Sequence, residues 1–206
     1  MNEASIHDVS AIVLSAGKSE RFGKPKAFLA FNQTNTFIQH LIFEYYHAGI
    51  CNIIIVTNKD LLDEMNRQIQ NIPANININI VVNTHTELGR FSSIKRAVDT
   101  INTGCNAFIQ NIDNPFTTTI LLRRMMDAFV EGSYVVPTFD NERGHPVLVS
   151  HKIIQHIKEM DMMDTNLRDV LSQFPVIEIQ ADDPTIHANI NTPEAYIMYF
   201  NHAVLH

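Results

Sequence analysis

Residues 11–26, Ala11-Ile12-Val13-Leu14-Ser15-Ala16-Gly17-Lys18-Ser19-Glu20-Arg21-Phe22-Gly23-Lys24-Pro25-Lys26, begin as an unbroken apolar run and continue as a basic loop punctuated by two glycines. A short apolar run with no polar residue alternating in it suits a strand buried on both faces of a parallel sheet. The loop leaving the carboxyl end of such a strand is where open α/β sheets cradle phosphates. Scattered at random, the 15 Lys and Arg of this 206-residue chain would put fewer than one in nine consecutive positions, yet Lys18, Arg21, Lys24 and Lys26 all lie within residues 18–26. Only Glu20 opposes them. Gly17 and Gly23 let backbone N–H groups approach an anion closely, and the Lys and Arg side chains add charge, so the loop would suit a nucleoside triphosphate, with a solvated basic loop as the alternative reading. Two better-known phosphate loops are excluded. Gly17 and Gly23 stand one residue too far apart for a Walker A loop, Pro25 occupies the place of its magnesium-holding Ser or Thr, and GxGxxG is absent.

Outward from this loop the alternation repeats. Strand-length apolar stretches recur at 53–56, 78–82, 107–109, 134–136, 147–149 and 176–179, and segments with helical spacing fall at 37–48, 61–70, 94–101 and 120–129. Strands taking turns with helices predict an α/β fold: one Rossmann-like, doubly wound, mostly parallel sheet with its ligand crevice at the carboxyl ends of the strands. After Tyr134 the pattern changes. Residues 138–144 read as a turn between two short strands, followed by helices near 150–160 and 166–174, so residues 134–175 or so are expected to add a small β-hairpin/helical lobe over the crevice. Residues 71–83, rich in Asn and Ile, read as a loop entering a strand, and Thr192-Pro193-Glu194 announces a last helix. No repeat or linker divides residues 1–206, which are expected to form a single domain.

Composition narrows the function. With 45% hydrophobic and 18% charged residues the chain is an ordinary globular one. A net charge of −7 supplies no global positive field for nucleic acid or an anionic membrane, so an anion site has to be built locally. Cys51 and Cys105 are too few for a disulfide framework or a four-cysteine zinc site. The first residues carry neither a basic segment nor an apolar one, and no apolar run is long enough to span a bilayer, so a cytoplasmic location is expected.

Several segments carry a resemblance. Leu14-Ser15-Ala16-Gly17-x-Ser19-x-Arg21-Phe22-Gly23-x-Pro25-Lys26 resembles the LAAGxSxRMGxPK signature of the small nucleotidyltransferases that include the molybdenum cofactor cytidylyltransferases and guanylyltransferases. Gly89-Arg90-Phe91-Ser92-Ser93-Ile94 resembles the GMSSSL segment of the cytidylyltransferase branch, Asp113-Asn114-Pro115 its D-x-P, Arg143-Gly144-His145-Pro146-Val147 its RGHPV, and Asn189-Ile190-Asn191-Thr192-Pro193-Glu194 its DIDTPE. The matches keep the family's order from about residue 10 to residue 197.

The resemblance implies magnesium-dependent transfer of a nucleoside monophosphate, CMP from CTP, to a phosphorylated acceptor, molybdopterin, with release of pyrophosphate. It implies a molybdoenzyme or its maturation chaperone as protein partner. Lys26 would stabilise charge developing at the α-phosphate, and Arg21 would hold the β- and γ-phosphates. Leu14, Ala16, Gly17, Lys18 and Ser19, with Gly89, Ser92 and Ser93, would bind the nucleotide; Ala16 resembles the cytidine branch more than the LAGG of the guanine branch. His145 and Pro146 would border the acceptor. Asp113 and Asn189 would hold magnesium, Asn189 standing where the family usually carries Asp, so that an amide oxygen would ligate without contributing negative charge. Other departures are Arg90 and Phe91 for Met-Ser and Ile112 for Gly. They leave open another base, another acceptor such as a sugar phosphate or phosphocholine, and a nucleotide-binding regulatory protein with weakened turnover.

Overall fold

The computed structural model describes residues 9–17, 22–161 and 165–200. Lys18, Ser19 and Arg21 lie outside the described residues. Eight strands form one sheet: β1 (Val9–Leu14), β2 (Asn52–Thr57), β3 (Asn77–Val82), β4 (Asn106–Asn111), β5 (Tyr134–Phe139), β6 (Glu142–Arg143), β7 (Val147–Val149) and β8 (Val176–Gln180). The path runs β3-β2-β1-β4-β7-β5-β6, with β8 also on β5. β1 pairs in parallel with both β2 and β4, aligning Ile12 with Ile54 and with Ile109. β7 runs antiparallel to both β4 and β5, while β5 and β8 are parallel.

The helices are α1 (Phe37–His47), α2 (Leu62–Ile69), α3 (Arg90–Val98), α4 (Thr119–Asp127), α5 (His151–Glu159), α6 (Leu167–Leu171) and α7 (Pro193–Phe200). They cover both faces because successive strand residues point to opposite sides. Ala11, Val13, Ile53, Ile55 and Phe108 share one core with Phe37 and Leu41 of α1 and Leu122 and Met125 of α4. Ile12, Leu14, Ile54, Val56, Ala107 and Ile109 share the other with Phe91 and Ile94 of α3 and Ile153 and Ile157 of α5. Each large aliphatic residue so buried contributes roughly 1.5–3 kcal/mol relative to exposure, which holds the loops at the carboxyl ends of β1 and β4 on a rigid base. Local signals set the helix starts. Thr36 and Gln39 form a capping box at α1, the Thr118 hydroxyl caps α4, and the Thr192 hydroxyl accepts from Ala195 N at 3.2 Å to cap α7.

Residues 134–175 do two jobs. Their strands join the main sheet and α5 lies against α3, while residues 141–145 and 165–168 line the crevice. The turn between β5 and β6 is formed by Asp140 (φ 50°) and Asn141 (φ 63°), and two consecutive left-handed residues are what a two-residue hairpin of this twist requires. β3, on the sheet's rim, exposes Asn77 and Asn79 and half-buries Ile78 and Ile80, which explains its Asn/Ile alternation.

Gly144 follows the hairpin at a point of close backbone approach. A Cβ there would lie 2.7 Å from Ile186 O and 2.8 Å from two atoms of the Ile186 side chain. Gly144→Ala is therefore expected to destabilise the fold by about 1–3 kcal/mol. Denaturant unfolding checks this; a midpoint equal to the wild type's would contradict it.

Candidate active site

Three elements converge at the carboxyl edge of the sheet. β1 and the residues after it deliver Leu14, Ala16 and Gly17, β4 and the turn after it Asn111, Ile112 and Asp113, and the turn before α3 Thr86 and Gly89, with Arg90 and Ser93 from the first turn of α3; together with Lys26 and Asn191 they line a cleft of about 260 Å³. Gly89 has φ 82°, a left-handed conformation that favours glycine, and no side chain caps α3 behind it. The first N–H groups of α3 thus start at the cleft wall without a side-chain partner from Gly89, the end of a helix that favours negative charge.

The charged centre is compact. Lys26 Nζ lies 3.7 Å from Asp113 Oδ2 and donates to Asn191 Oδ1. Asp113 is only 7% exposed, and its Oδ1 has no hydrogen-bond partner among the described residues. A buried carboxylate oxygen left unsatisfied is costly unless something else supplies charge. Asn191 reaches this centre because the chain turns at buried Ile190: Ile190 N donates to Asp113 O at 2.7 Å, and Asn191 N to Asn189 O at 2.9 Å. The same turn leaves Asn189 exposed, with its Nδ2 donating to His187 O at 3.1 Å. Of the two asparagines in the Asn189-Ile190-Asn191 segment, it is Asn191 that lines the cleft.

Ser92 and Ser93 part company. Ser93 lines the cleft, whereas Ser92 is buried, donates to Gly89 O at 2.8 Å and accepts from Asn83 Nδ2 at 2.9 Å. Asn83 also donates to Ser93 Oγ at 2.9 Å, so one amide ties the end of β3 to the start of α3. Ser92 holds the turn in shape from behind.

A second, larger hollow of about 1350 Å³ adjoins the first, sharing Leu14, Gly89, Arg90 and Asn111 with it. Tyr134, Arg143, Gly144, His145, Arg168 and Glu178 are among the residues around it. Pro146 is buried behind His145 and lines neither hollow. Asn111 Nδ2 lies 2.8 Å from His145 Nε2. With the amide donating, the ring proton sits on Nδ1, the neutral tautomer. Burial pushes the His145 pKa below its ordinary value, opposed by Asp113 and assisted by Arg90. Arg143 is held by Glu178 at 2.7 Å, which raises its pKa.

Of the residues singled out in the sequence, Leu14, Ala16, Gly17, Lys26, Gly89, Ser93 and Asp113 share one cleft and His145 borders the next. Thr86, Asn111 and Asn191 were not anticipated in it. Thr86 and Asn111 are single polar residues with no pattern around them, and only the turn at Ile190 shows that Asn191 points inward. Arg90, visible in the sequence as a departure from the Met-Ser pattern, lies where the two hollows meet.

Known proteins resemble this chain along most of its length. A family model described as a MobA-like NTP transferase domain matches residues 11–178. A probable molybdenum cofactor guanylyltransferase of Bacillus mycoides is 24% identical over 203 residues, covering 91% of this chain and 94% of that protein. A 2-C-methyl-D-erythritol 4-phosphate cytidylyltransferase of Thermosipho melanesiensis is 29% identical over 150 residues, and the match spans 71% of this chain and 65% of that protein's length. The solved structure of a nucleotidyl transferase from Methanothermobacter superposes with a TM-score of 0.77 at 19% identity, over 94% of this chain and 96% of that one, and shares the fold.

Proposed function

Because the chain belongs to the MobA-like NTP transferase domain family, we propose that its cleft transfers a nucleoside monophosphate, CMP from CTP, to the phosphate of molybdopterin. The observation that carries this reading is the convergence of Lys26, Asp113 and Asn191 at the carboxyl ends of β1 and β4. An oxygen of the acceptor phosphate attacks the α-phosphorus, the bond from that phosphorus to the bridging oxygen breaks, and pyrophosphate leaves with the electron pair. Such chemistry needs positioning and charge neutralisation more than a protein nucleophile.

Lys26 supplies the positive charge at the reacting phosphate, and Arg21, outside the described residues, is assigned to the β- and γ-phosphates. The backbone about Gly17 and the start of α3 cradle the nucleotide. Asp113 offers hard oxygen donors of the kind magnesium takes, and its Oδ1, without a hydrogen-bond partner among the described residues, fits that role, whereas the Asn191 oxygen is engaged by the Lys26 ammonium. No group of three His, Cys, Asp or Glu among the described residues could hold a metal alone, so the remaining ligands would be phosphate oxygens and water. Magnesium bound there supplies neutralisation of phosphate charge. The larger hollow beside His145 and Arg143 is assigned to the acceptor, and Arg90 and Asn111, shared by both hollows, to the junction where acceptor and α-phosphate meet.

Ala16 at the cleft wall, in the place of the guanine branch's glycine, supports CTP. The similarity to guanylyltransferases along nearly the whole chain supports GTP as the second reading. Thermal unfolding with CTP, GTP, ATP and UTP, each with and without magnesium, separates them. A nucleotide at ~100 times its Kd adds ~2.7 kcal/mol and raises the midpoint by roughly 5–10 °C in a chain of this size. Selective stabilisation by CTP with magnesium is expected. Selective stabilisation by GTP would transfer the assignment to guanylyl transfer, and no response to any nucleotide would overturn the triphosphate site.

A further inference from the structure

Strand β4 is buried along its whole length, although Asn106, Gln110 and Asn111 in it are polar, and Gln110 is the most deeply buried of the three. Gln110 is fully buried. Removing a side-chain amide from water is unfavourable unless its hydrogen bonds are remade inside. Here all four are. Nε2 donates to Asn111 O at 2.9 Å and to Asn114 O at 2.7 Å, while Oε1 accepts from the Tyr45 hydroxyl at 3.1 Å and the Thr117 hydroxyl at 2.6 Å.

The two carbonyls that Gln110 grips lie on either side of Ile112-Asp113. Three backbone bonds fix the same turn from other directions: Ile112 N to Leu14 O at 3.2 Å, Asn114 N to Asn111 O at 3.2 Å, and Ile190 N to Asp113 O at 2.7 Å. Tyr45 and Thr117 give the amide its sense. Rotated by half a turn, its oxygen would face two carbonyl oxygens and its nitrogen two hydroxyls. Burial raises the Tyr45 pKa well above its ordinary value, so the phenol keeps the proton it donates. A leucine of similar volume would fill the space but would leave the buried Tyr45 and Thr117 hydroxyls and the Asn114 carbonyl without this partner, and it could not hold the turn that carries Asp113.

We propose that Gln110, oriented by Tyr45 and Thr117, is a positioning residue that holds the Asp113 turn in the form that binds a divalent cation. The proposal rests on the assignment of Asp113 as a metal ligand. Partners that orient a metal ligand from behind typically change metal affinity or activity by about 10- to 100-fold when removed.

Titrating the full chain with Mn²⁺ in the presence of pyrophosphate, which supplies the phosphate oxygens, followed by the water-proton relaxation enhancement of protein-bound ion, tests the two assignments separately. Gln110→Leu is expected to weaken Mn²⁺ binding about tenfold or more and to lower the melting temperature as well, because the buried Tyr45 and Thr117 hydroxyls and the Asn114 carbonyl lose their partner. Gln110→Glu places an acceptor against the two carbonyls, so its Mn²⁺ binding, relative to wild type at each pH, is expected to recover as the pH falls and the new carboxyl gains a proton to donate. Thr117→Ser keeps the hydroxyl and is expected to bind as the wild type does, whereas Thr117→Val is expected to bind more weakly. If Asp113→Asn abolishes binding but Gln110→Leu binds as the wild type does, the proposal is overturned and the metal assignment stands. If Asp113→Asn binds as well as the wild type, or neither binds, the metal assignment fails and the proposal with it. Should Gln110→Leu not fold, the threonine pair decides, equal affinity in Thr117→Ser and Thr117→Val overturning the proposal.

Discussion

Lys26→Met is expected to lower the rate of pyrophosphate release by about 10²- to 10³-fold, the usual loss when one donor to transition-state charge is removed. Methionine keeps most of the length and apolar stem of lysine, so the change isolates the ammonium. That ammonium lies 3.7 Å from Asp113 and is bonded to Asn191, on a side chain only 14% exposed. In so enclosed a place a charge acts with little screening by water. If Lys26 works on charge that develops as the bond to pyrophosphate breaks, kcat falls while KM for the nucleotide changes little. A rise in KM with kcat preserved would reassign Lys26 to ground-state binding. A rate within a few-fold of wild type would remove it from the chemistry altogether.

Asp113→Asn is the second large effect. The amide has nearly the carboxylate's shape and can still accept from neighbours, so the fold is expected to melt within a few degrees of wild type. What disappears is the negative charge of a carboxylate whose Oδ1 has no hydrogen-bond partner among the described residues, the charge the proposed metal site needs. Activity at a fixed, modest magnesium concentration is expected to fall by at least about 10²-fold. Part of that loss should return as magnesium is raised, because an amide oxygen still ligates, though without charge. Magnesium titrations of the steady-state rate read this directly; an unchanged magnesium requirement would exclude Asp113 as ligand.

Much of the fold was legible because both of its periods are strong. The all-apolar runs at 11–14 and 53–56 have the length and composition of strands covered on both faces, and the helical spacing of Phe37, Leu41 and Tyr45 puts three apolar residues on one helix face, as the structure has them. The direction of β7 was not legible. Three apolar residues read the same forwards and backwards, and only pairing with β4 and β5 gives them an orientation.

The site divides along similar lines. The basic loop stands out by local chemistry, as a cluster of cations against its neighbours, whereas Asp113 in an ordinary Asp-Asn-Pro turn was legible only through the family resemblance. Asn191 does not stand out, because the bond from Ile190 N to Asp113 O, which turns it inward, joins residues far apart in the chain. Gln110 left a weaker sequence signal: an amide directly after the apolar run 107–109, if carried into the buried strand, has to find partners inside the fold. Ser92 illustrates the reverse. A serine at a helix start looks like a cap or a ligand, and only its bonds to Gly89 and Asn83 show that it braces the turn.

The contact between Lys26 and Asn191 spans 165 residues. On a ribosome that adds ~5–20 residues per second, roughly 8–30 s separate the emergence of one partner from that of the other. Throughout that interval the basic loop is already made while the residue that receives its lysine is not. The nascent chain therefore passes through a stage in which it presents cations without a finished pocket, and assembly of the catalytic centre is a late event, timed by the arrival of the segment that turns at Ile190.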